Sequence, residues 1–341
     1  MKNILVTGGA GFIGSNFIKY ALLNTDFNLV NFDKLTYAGN LENLTDVEFN
    51  DRYKFVKGDI CEKTEVKKAV EENEIDTIIN FAAESHVDRS ILGAKEFINT
   101  NVMGTHVLLE VLKDNKLEKY LQVSTDEVYG SLPEDKKEIL FTESTPITTN
   151  SPYSASKASA DLLCNSFHHT FGLPILITRC SNNYGPYQFP EKLIPLMIVK
   201  TLNGEKLPVY GDGKNVRDWL YVEDHCSAII KVLTDGKIGE VYNIGGNNEW
   251  YNIDIVKLIL NRLGKTDDMI QYVKDRPGHD RRYAIDSTKI MTELGWEPAY
   301  DFEKGIALTI DWYIKNEDWW EKVMSGEYQK YYTENYGNKV S

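Results

Sequence analysis

The sequence predicts an α/β fold built on a doubly wound parallel sheet of the Rossmann type. In the first half of the chain, short apolar runs alternate with segments that repeat hydrophobic residues at helical spacing, which is the pattern of successive βαβ units. Right-handed crossovers would place helices on both faces and a ligand crevice at the carboxyl ends of the strands. The predicted strands span residues 3–7, 28–33, 54–57, 77–81, 120–124 and 175–179.

The chain of 341 residues is long enough for one large domain or two interleaved ones. The alternation ends after Arg179, where Pro, Gly, Tyr and Asn become frequent. We therefore expect residues 1–180 to form the Rossmann domain and residues 181–325 mainly a smaller α/β domain that binds the substrate. A strand-like stretch at 239–245 predicts that the chain returns to the first domain near residues 221–246. The C-terminal aromatic residues are expected to pack on the body or to form a subunit contact: Trp312, Trp319, Trp320, Tyr331 and Tyr332.

Composition and charge exclude several classes of protein. Hydrophobic residues make up 42% of the chain and charged residues 26%, so neither a disordered chain nor a fibre is indicated. The net charge of −13 argues against nucleic-acid binding, which depends on clustered Lys and Arg. There is no apolar run of about 18 residues and no signal-peptide pattern, so we expect a cytoplasmic protein without a membrane partner.

Neither the cysteines nor the histidines have the spacing of a metal site. The four cysteines are far apart without a C-x-x-C pair, which favours reduced, buried thiols over a disulfide framework. His168 and His169 are adjacent in a predicted helix and so face different directions. We therefore predict no bound metal.

A glycine-rich turn, TGGAGFIG at residues 7–14, lies between the first strand and an amphipathic helix. Glycines there allow a tight turn and a close approach of the backbone to a pyrophosphate at the helix N-terminus. Asp33 ends the second strand, where a carboxylate accepts hydrogen bonds from ribose hydroxyls. Because a carboxylate repels a 2′-phosphate, the sequence predicts NAD rather than NADP. A turn needed only for helix–strand packing is the alternative.

Residues after the third and fourth strands extend this prediction. Asp59 and Ile60 are expected to flank the adenine, or else to cap the strand end. Ala82 and Ala83 are small enough for the chain to pass close beneath a dinucleotide. In the segment that follows, His86, Asp88 and Arg89 are expected to form a structural ion-pair cluster rather than a catalytic one.

A reactive tyrosine is predicted at the start of a helix that Ser151 caps, with Pro152 in its first turn. Tyr153 and Lys157 are four residues apart and share a face of that helix. A lysine ammonium together with a nicotinamide cation would lower the pKa of the phenol from about 10, so that the phenolate could accept a proton from a substrate hydroxyl.

Two adjacent acids, Asp126 and Glu127, follow the fifth predicted strand. An environment that separates the pKa values of neighbouring carboxyl groups makes one a general acid and the other a general base. The residues alone do not say which is which, and a solvated pair in a loop is the alternative.

With these motifs the chain resembles the extended short-chain dehydrogenase/reductase superfamily and, within it, the dTDP-glucose 4,6-dehydratase family. The resemblance runs from about Lys2 to about Trp312. The narrowest motif is the Thr125-Asp126-Glu127 triplet. The motifs that carry the resemblance are TGGAGFIGSN at 7–16, AAESHVDRS at 82–90, STDEVYG at 124–130, Tyr153-x-x-x-Lys157, RDWLYVEDH at 217–225 and RPGHD at 276–280.

The resemblance implies a dehydration in which NAD takes a hydride from C4 of a sugar and returns it to C6. Tyr153 would take the C4 hydroxyl proton, Glu127 the C5 proton, and Asp126 would protonate the leaving C6 hydroxyl. Thr125 would position the C4 oxygen, and Lys157 would also bind the nicotinamide ribose.

The resemblance and the turn together imply two sets of contacts. Those to NAD are Gly8, Gly11, Phe12, Ile13, Gly14, Asp33, Lys34, Thr36, Asp59, Ile60, Ala82, Ala83, Ser85, Thr100, Ser124, Tyr153, Lys157 and Asn183. Those to the sugar nucleotide dTDP-glucose are Ser85, Thr125, Asn182, Glu191, Lys192, Leu193, Pro208, Tyr210, Arg217, Asn252, Arg276 and His279. Arg217 and Arg276 also make sense independently, because guanidinium groups suit a diphosphate in an otherwise acidic chain.

Other possibilities stay open at this point. A UDP-sugar 4-epimerase would share NAD, Tyr153 and Lys157 without needing the acid pair. A non-enzymatic alternative is a catalytically silent scaffold that binds NAD. The family implies a homodimer, which an apolar stripe over 97–112 and another over 158–167 would suit unless they are core. The polar segment 132–150 either covers the site or is a surface loop.

Overall fold

The computed structural model describes residues 2–325 of the chain. Its strands are β1 Asn3–Thr7, β2 Asn28–Asp33, β3 Tyr53–Lys57, β4 Thr77–Asn80, β5 Lys119–Thr125, β6 Ile175–Cys180, β7 Asn182–Tyr184, β8 Leu207–Tyr210, β9 Val216–Tyr221, β10 Val241–Ile244, β11 Glu249–Tyr251 and β12 Ile270–Val273.

The helices are α1 Phe12–Asn24, α2 Lys63–Glu72, α3 Val87–Leu92, α4 Lys95–Phe97, α5 Thr105–Asn115, α6 Pro152–Phe171, α7 Leu193–Leu202, α8 Val222–Asp235, α9 Asn252–Arg262, α10 Thr288–Leu294, α11 Phe302–Lys315 and α12 Glu317–Met324. A π-helical segment, Ile98–Gly104, joins α4 to α5, and 3-10 turns span Leu41–Leu44, Asp126–Tyr129 and Asp267–Met269.

Seven parallel strands form the central sheet in the order β10-β6-β5-β4-β1-β2-β3. The six predicted strands are all present with ends within one residue of the prediction, and the predicted return strand is β10. The strand order reverses between β1 and β4, so the crossovers diverge there and leave a crevice at the carboxyl ends of the strands. The predicted doubly wound α/β fold is confirmed.

A buried polar network fixes three central strands against one another. Thr7 Oγ1 on β1 donates to Asn80 Oδ1 on β4 over 2.6 Å, and Asn80 Nδ2 donates to Gln122 Oε1 on β5 over 3.0 Å. All three side chains are at most 1% exposed. Because these hydrogen bonds join β1 to β4 and β4 to β5, the network favours this strand order.

The rest of the chain forms a second body around two small sheets, β11-β9-β7 and β8-β12. Its core lies between α7, α9 and α11 and contains Ile198, Ile259 and Ile306. In contrast, α8 packs with the central sheet, since Ile229 and Val232 belong to the same apolar cluster as Ile4. The C-terminal tryptophans also pack on the second body, whereas Tyr331 and Tyr332 lie outside the described residues.

Of the two interpretations left open for the apolar stripe over 97–112, the structure supports core. Phe97, Leu108 and Leu112 are buried and belong to the core rather than to an exposed stripe. Exposed apolar side chains nearby include Ile98 and Met103 in the π-helical segment, and Leu162 and Phe171 on α6.

Cys164, Cys180 and Cys226 are buried as predicted, but Cys61 is half-buried. All four thiols are free.

Between residues 2 and 325, no helix is long and apolar enough to cross a membrane. Within the same range there is no cluster of three His, Cys, Asp or Glu suited to a metal ion.

An ion pair buried beneath the crevice holds α6 against the sheet. Arg179 Nε on β6 donates to Asp161 Oδ2 on α6 over 2.8 Å, and the two side chains are 4% and 0% exposed. Arg179 Nη1 also donates to the Tyr129 hydroxyl, which donates to Asn243 Oδ1 on β10. One guanidinium therefore connects α6, the turn that follows β5, and β10.

Arg179→Met should lower the free energy of unfolding by about 3–5 kcal/mol, because it leaves the Asp161 carboxylate buried without a partner. Urea unfolding measures the loss. Lys67→Met is the matched control, since Lys67 pairs with Glu71 at 3.6 Å on the surface and both side chains are more than half exposed. That change should alter stability by no more than about 0.5 kcal/mol. Equal losses of stability in the two variants would contradict the role of the buried Arg179–Asp161 pair in holding α6 against the sheet.

Candidate active site

The crevice consists of two adjoining cavities. The larger, of about 360 Å³, follows the carboxyl ends of β1 to β6, and the smaller, of about 180 Å³, lies against α7, β9 and α9. They meet at a shared set of residues, Glu127, Asn182, Asn183, Gln188, Glu191 and Lys192. A ligand in one cavity can therefore touch a ligand in the other, with Glu127 at their junction.

The glycine turn fits a closely approaching diphosphate. Gly8 has φ of +69°, and a Cβ there would lie 2.6 Å from the backbone nitrogen of Ala82. Gly11 is the N-cap of α1 and lines the larger cavity; a Cβ there would have only the Gly8 carbonyl oxygen within 4 Å, at 3.3 Å. The first turn of α1 carries no acidic residue and its cap makes no side-chain hydrogen bond. The backbone amides of that turn are thus available to an anion.

Asp33 lines the same cavity and also supports the turn. Its carboxylate accepts hydrogen bonds from the Ala10 amide at 2.9 Å and from the Leu35 amide at 2.8 Å. Burial raises the pKa of Asp33, and the two amides oppose that rise. Asp59 lines the same cavity, accepts from the Cys61 amide at 2.9 Å and pairs with Lys34 at 2.6 Å, and its contact with adenine stays a prediction.

Every residue predicted to contact the cofactor lines the larger cavity. Among them, Ser124 has a buried hydroxyl without a hydrogen-bond partner among the described residues. An unsatisfied buried donor in a cavity is the kind of group that a bound polar ligand completes. The residues present therefore fit a dinucleotide.

Tyr153 and Lys157 occupy the floor of this cavity. The predicted N-cap is confirmed: Ser151 Oγ accepts from the Ser154 amide, and Pro152 begins α6. Lys157 Nζ donates to the Val123 carbonyl oxygen on β5 over 2.8 Å. Burial, and next the Glu127 carboxylate, raise the pKa of Tyr153 well above its usual value. Burial outweighs the opposing hydrogen bond of Thr125, so the protein groups alone do not give the expected lowering of this pKa.

The two acids lie in the 3-10 turn after β5. Thr125 caps that turn, since its hydroxyl accepts from the Glu127 amide at 3.3 Å, and it also donates to Asp126 Oδ1 at 3.3 Å. Asp126 is 1% exposed, and its Oδ2 has no hydrogen-bond partner among residues 2–325. The turn therefore holds a buried carboxyl group with one oxygen available to a ligand.

Charges around the turn separate the two pKa values. Burial, and next the charge of Glu127, raise the pKa of Asp126 well above its usual range. Burial also raises the pKa of Glu127, but Arg276, Arg217 and Lys192 oppose that rise. Asp126 is therefore the group that keeps its proton, and Glu127 is the one that ionises more readily.

Cationic side chains gather in the smaller cavity. Arg217 donates to the Asp280 carbonyl oxygen at 2.9 Å and lies 4.2 Å from the ring centroid of Tyr283. Arg276 pairs with Asp88 at 2.7 Å. Every residue predicted to contact the substrate lines one or both cavities.

Two members of the predicted cluster of His86, Asp88 and Arg89 face oppositely charged groups: Asp88 pairs with Arg276 at 2.7 Å, and His86 Nε2 lies 3.7 Å from Glu191 Oε2. His86 lines the smaller cavity, and burial lowers the pKa of its ring to about 3, so it is neutral. The Arg89 guanidinium lies 3.8 Å from the ring centroid of Tyr37. The segment 132–150 lines neither cavity, and its Leu132 and Phe141 are buried in an apolar cluster with Tyr283.

Sequence reasoning missed several residues that line the smaller cavity. Tyr283 lies beneath the Arg217 guanidinium and its hydroxyl donates to Asp280 Oδ2. Its position three residues beyond the RPGHD motif was the one signal available. Trp219 belongs to the RDWLYVEDH motif, but nothing local distinguishes it from a core residue.

Comparison with known proteins agrees with this site. Residues 5–309 match the family model described as GDP-mannose 4,6 dehydratase. A dTDP-glucose 4,6-dehydratase from Xanthomonas campestris pv. campestris is 56% identical over 96% of this chain and 98% of its own length.

Two solved structures of dTDP-glucose 4,6-dehydratases are also similar. The enzyme from Bacillus anthracis, solved in complex with NAD, is 53% identical with a TM-score of 0.88, covering 95% of this chain and 100% of that one. The enzyme from Streptomyces venezuelae, solved with NAD and a second ligand, is 47% identical with a TM-score of 0.91, covering 94% and 99%. The chain therefore belongs to the dTDP-glucose 4,6-dehydratase family.

Proposed function

We propose that the protein is an NAD-dependent hydro-lyase that converts dTDP-glucose to dTDP-4-keto-6-deoxy-glucose and water, a step in deoxysugar biosynthesis. The observation that carries this proposal is the pair Asp126 and Glu127, whose pKa values are separated at the junction of the two cavities. The relatives' activity and the NAD bound by the solved neighbours support it.

The larger cavity would hold NAD. The amides at the start of α1 would face its diphosphate, Asp33 its ribose hydroxyls, and Lys157 the nicotinamide ribose. When bound, NAD supplies the reversible acceptance of a hydride from C4 of the sugar and its return to C6.

The protein's own groups move the protons. Tyr153 takes the proton of the C4 hydroxyl while Thr125 positions that oxygen, and the resulting C4 ketone acidifies the C5 hydrogen. Glu127 then accepts the C5 proton while Asp126 donates its proton to the C6 hydroxyl, which leaves as water. Glu127 returns its proton to C5 when the hydride reaches C6, and the proton that Tyr153 took balances the one that Asp126 gave up. Each proton transfer of this kind typically contributes ~10²–10⁴ in rate.

The smaller cavity would hold the sugar nucleotide. Arg217 and Arg276 lie in it within a chain of net charge −13, and both also act on the pKa of Glu127. A diphosphate bound by these arginines would place the sugar beside Glu127. The predicted substrate contacts Glu191 and Lys192 line both cavities, so they are suited to the region where sugar and nicotinamide meet.

The alternatives explain less of this geometry. A UDP-sugar 4-epimerase needs Tyr153 and Lys157 but has no use for a buried carboxyl group held protonated beside a base. A catalytically silent scaffold would not require Thr125, Asp126, Glu127, Tyr153 and Lys157 to meet in one cleft, as they do.

The predicted assembly and organisation complete the proposal. The exposed Ile98, Met103 and Leu162 lie on neighbouring helices and support a homodimer formed through that face.

Residues 1–180 with the returning segment 221–246 would bind NAD, and the remainder of 181–325 would bind the nucleotide sugar. The protein would act in the cytoplasm.

Purified protein should carry NAD and convert dTDP-glucose to a 4-keto-6-deoxy sugar nucleotide without added cofactor. NMR of the product checks this, because loss of the C6 hydroxyl distinguishes dehydration from inversion at C4. A C4 epimer would establish the epimerase instead, and unchanged substrate with NAD bound would favour the scaffold or another nucleotide.

Glu127→Gln should lower the pKa of Asp126. The Glu127 charge raises that pKa by disfavouring a second negative charge, so its removal makes Asp126 easier to ionise. A pH titration of protein with ¹³C-labelled aspartate carboxyl groups measures the shift. Glu71→Gln on the exposed face of α2 is the control and should leave the Asp126 signal unchanged. A pKa that stays constant or rises in Glu127→Gln would show that the two carboxyl groups are not coupled.

A further inference from the structure

The C-terminal helix α12 contacts the loop that supports the glycine turn. This helix begins at Glu317, beyond the residues 5–309 that match the family model. Trp319 and Trp320 are its two buried residues, with 9% and 2% of their surface exposed. They lie next to each other in sequence but donate hydrogen bonds to different parts of the protein.

A buried chain of hydrogen bonds runs from Trp319 to the turn. Trp319 Nε1 donates to Asn43 Oδ1 over 2.9 Å, and Asn43 Nδ2 donates to the Ala10 carbonyl oxygen over 3.0 Å. Asn43 is 2% exposed and Ala10 is fully buried. On the other side of the same residue, the Ala10 amide donates to Asp33 Oδ2 over 2.9 Å.

The indole determines how Asn43 is oriented. An indole N–H can only donate, so it must face the amide oxygen of Asn43, and the amide NH₂ is then directed at the Ala10 carbonyl. Without the indole donor, Asn43 Oδ1 would be buried without a partner, which weakens the whole chain. The Asn40 amide also donates to the Ala10 oxygen at 3.0 Å, so this carbonyl is held from two directions.

The Ala10 carbonyl matters because of the peptide to which it belongs. Its oxygen and the Gly11 amide lie in one rigid peptide plane. Gly11 is the N-cap of α1 and lines the larger cavity. The hydrogen bonds to the Ala10 oxygen therefore orient the peptide that leads into the N-terminus of α1, the end of the helix that faces the larger cavity.

Packing places α12 beside the rim of the same cavity. The Trp319 ring lies 5.7 Å from that of Tyr187, and Tyr187 lines the cavity. A surface pair between Lys322 and Glu42, at 3.3 Å, adds little because both side chains are largely exposed. The buried hydrogen bond from Trp319 to Asn43 is thus the directional contact between α12 and the 3-10 turn at Leu41–Leu44, which in turn holds the Ala10 carbonyl oxygen.

We propose that Trp319 is a positioning residue for the cofactor turn, acting through Asn43 on the Ala10–Gly11 peptide. The inference rests on the proposed function, since the ligand of that turn is taken to be NAD. It assigns to the C-terminal helix a part in cofactor affinity although the helix contributes no residue to the cavity wall.

Trp319→Phe removes the N–H and keeps most of the ring packing. The dissociation constant for NAD, measured on full-length apoprotein by calorimetry, should rise about five-fold, as expected for loss of one buried hydrogen bond worth about 1 kcal/mol. Amide hydrogen exchange in the peptide covering residues 8–14 should become faster in the apoprotein. Asn43→Leu, which removes the middle of the chain, should reproduce both effects.

Trp320→Phe is the matched control. Its indole donates to the Tyr313 carbonyl oxygen at 3.0 Å, within the C-terminal helices and away from the turn. It should lower the melting temperature to a similar extent while leaving both NAD affinity and exchange of residues 8–14 unchanged.

The inference is overturned if Trp319→Phe leaves NAD affinity and exchange unchanged, or if Trp320→Phe alters them equally. Failure of the wild-type protein to bind NAD would instead overturn the proposed function. In that case the exchange comparison still decides whether Trp319 positions the turn.

Discussion

The site depends on the burial of one carboxyl group, Asp126, directly beside a second. A buried carboxylate is costly unless it is paired, and two adjacent charges cannot both be accommodated in a dry cleft. The cost is avoided when Asp126 keeps its proton, which burial and the charge of Glu127 both favour. The same condition supplies the chemistry, because a carboxyl group that retains its proton more readily than its neighbour is suited to act as the general acid.

The surrounding fold maintains this condition. Strand β5 delivers the acids to the crevice, and Thr125 caps the 3-10 turn that holds them. The ion pair of Arg179 and Asp161 connects that turn, through Tyr129, to the helix that carries Tyr153 and Lys157. Arg276, Arg217 and Lys192 lie near the acids and oppose the rise in the pKa of Glu127. The packing of the second body against the central sheet therefore contributes to the difference between the two acids.

Local features of the chain were predictable from the sequence. The strands are short apolar runs, the glycine turn is a contiguous motif, and Ser151 with Pro152 is a local helix start, so each could be recognised without knowledge of the fold. The lists of cofactor and substrate contacts rested mainly on the family resemblance, and only the glycine turn, Asp33 and the two arginines had an independent physical reason. The direction of the Tyr153 pKa was not predictable, because it depends on burial and on Glu127 across the cleft.

Contacts between distant parts of the chain escaped prediction for the same reason. Arg276 pairs with Asp88 across 188 residues, and Trp319 bonds to Asn43 across 276. No periodicity or spacing in the sequence brings such residues together. The assignment of Asp126 as acid and Glu127 as base also rested on resemblance until the positions of the arginines supplied a physical reason.

The central claim is that the acid pair extends a reversible oxidation at C4 into elimination across C5 and C6. A single turnover of Glu127→Gln with dTDP-glucose, followed by NADH absorbance and by product analysis, tests it most directly. NADH should form and persist, while the 4-keto-6-deoxy product should appear roughly 10²–10⁴ times more slowly than with the wild-type protein. Formation of that product at the wild-type rate would contradict the account.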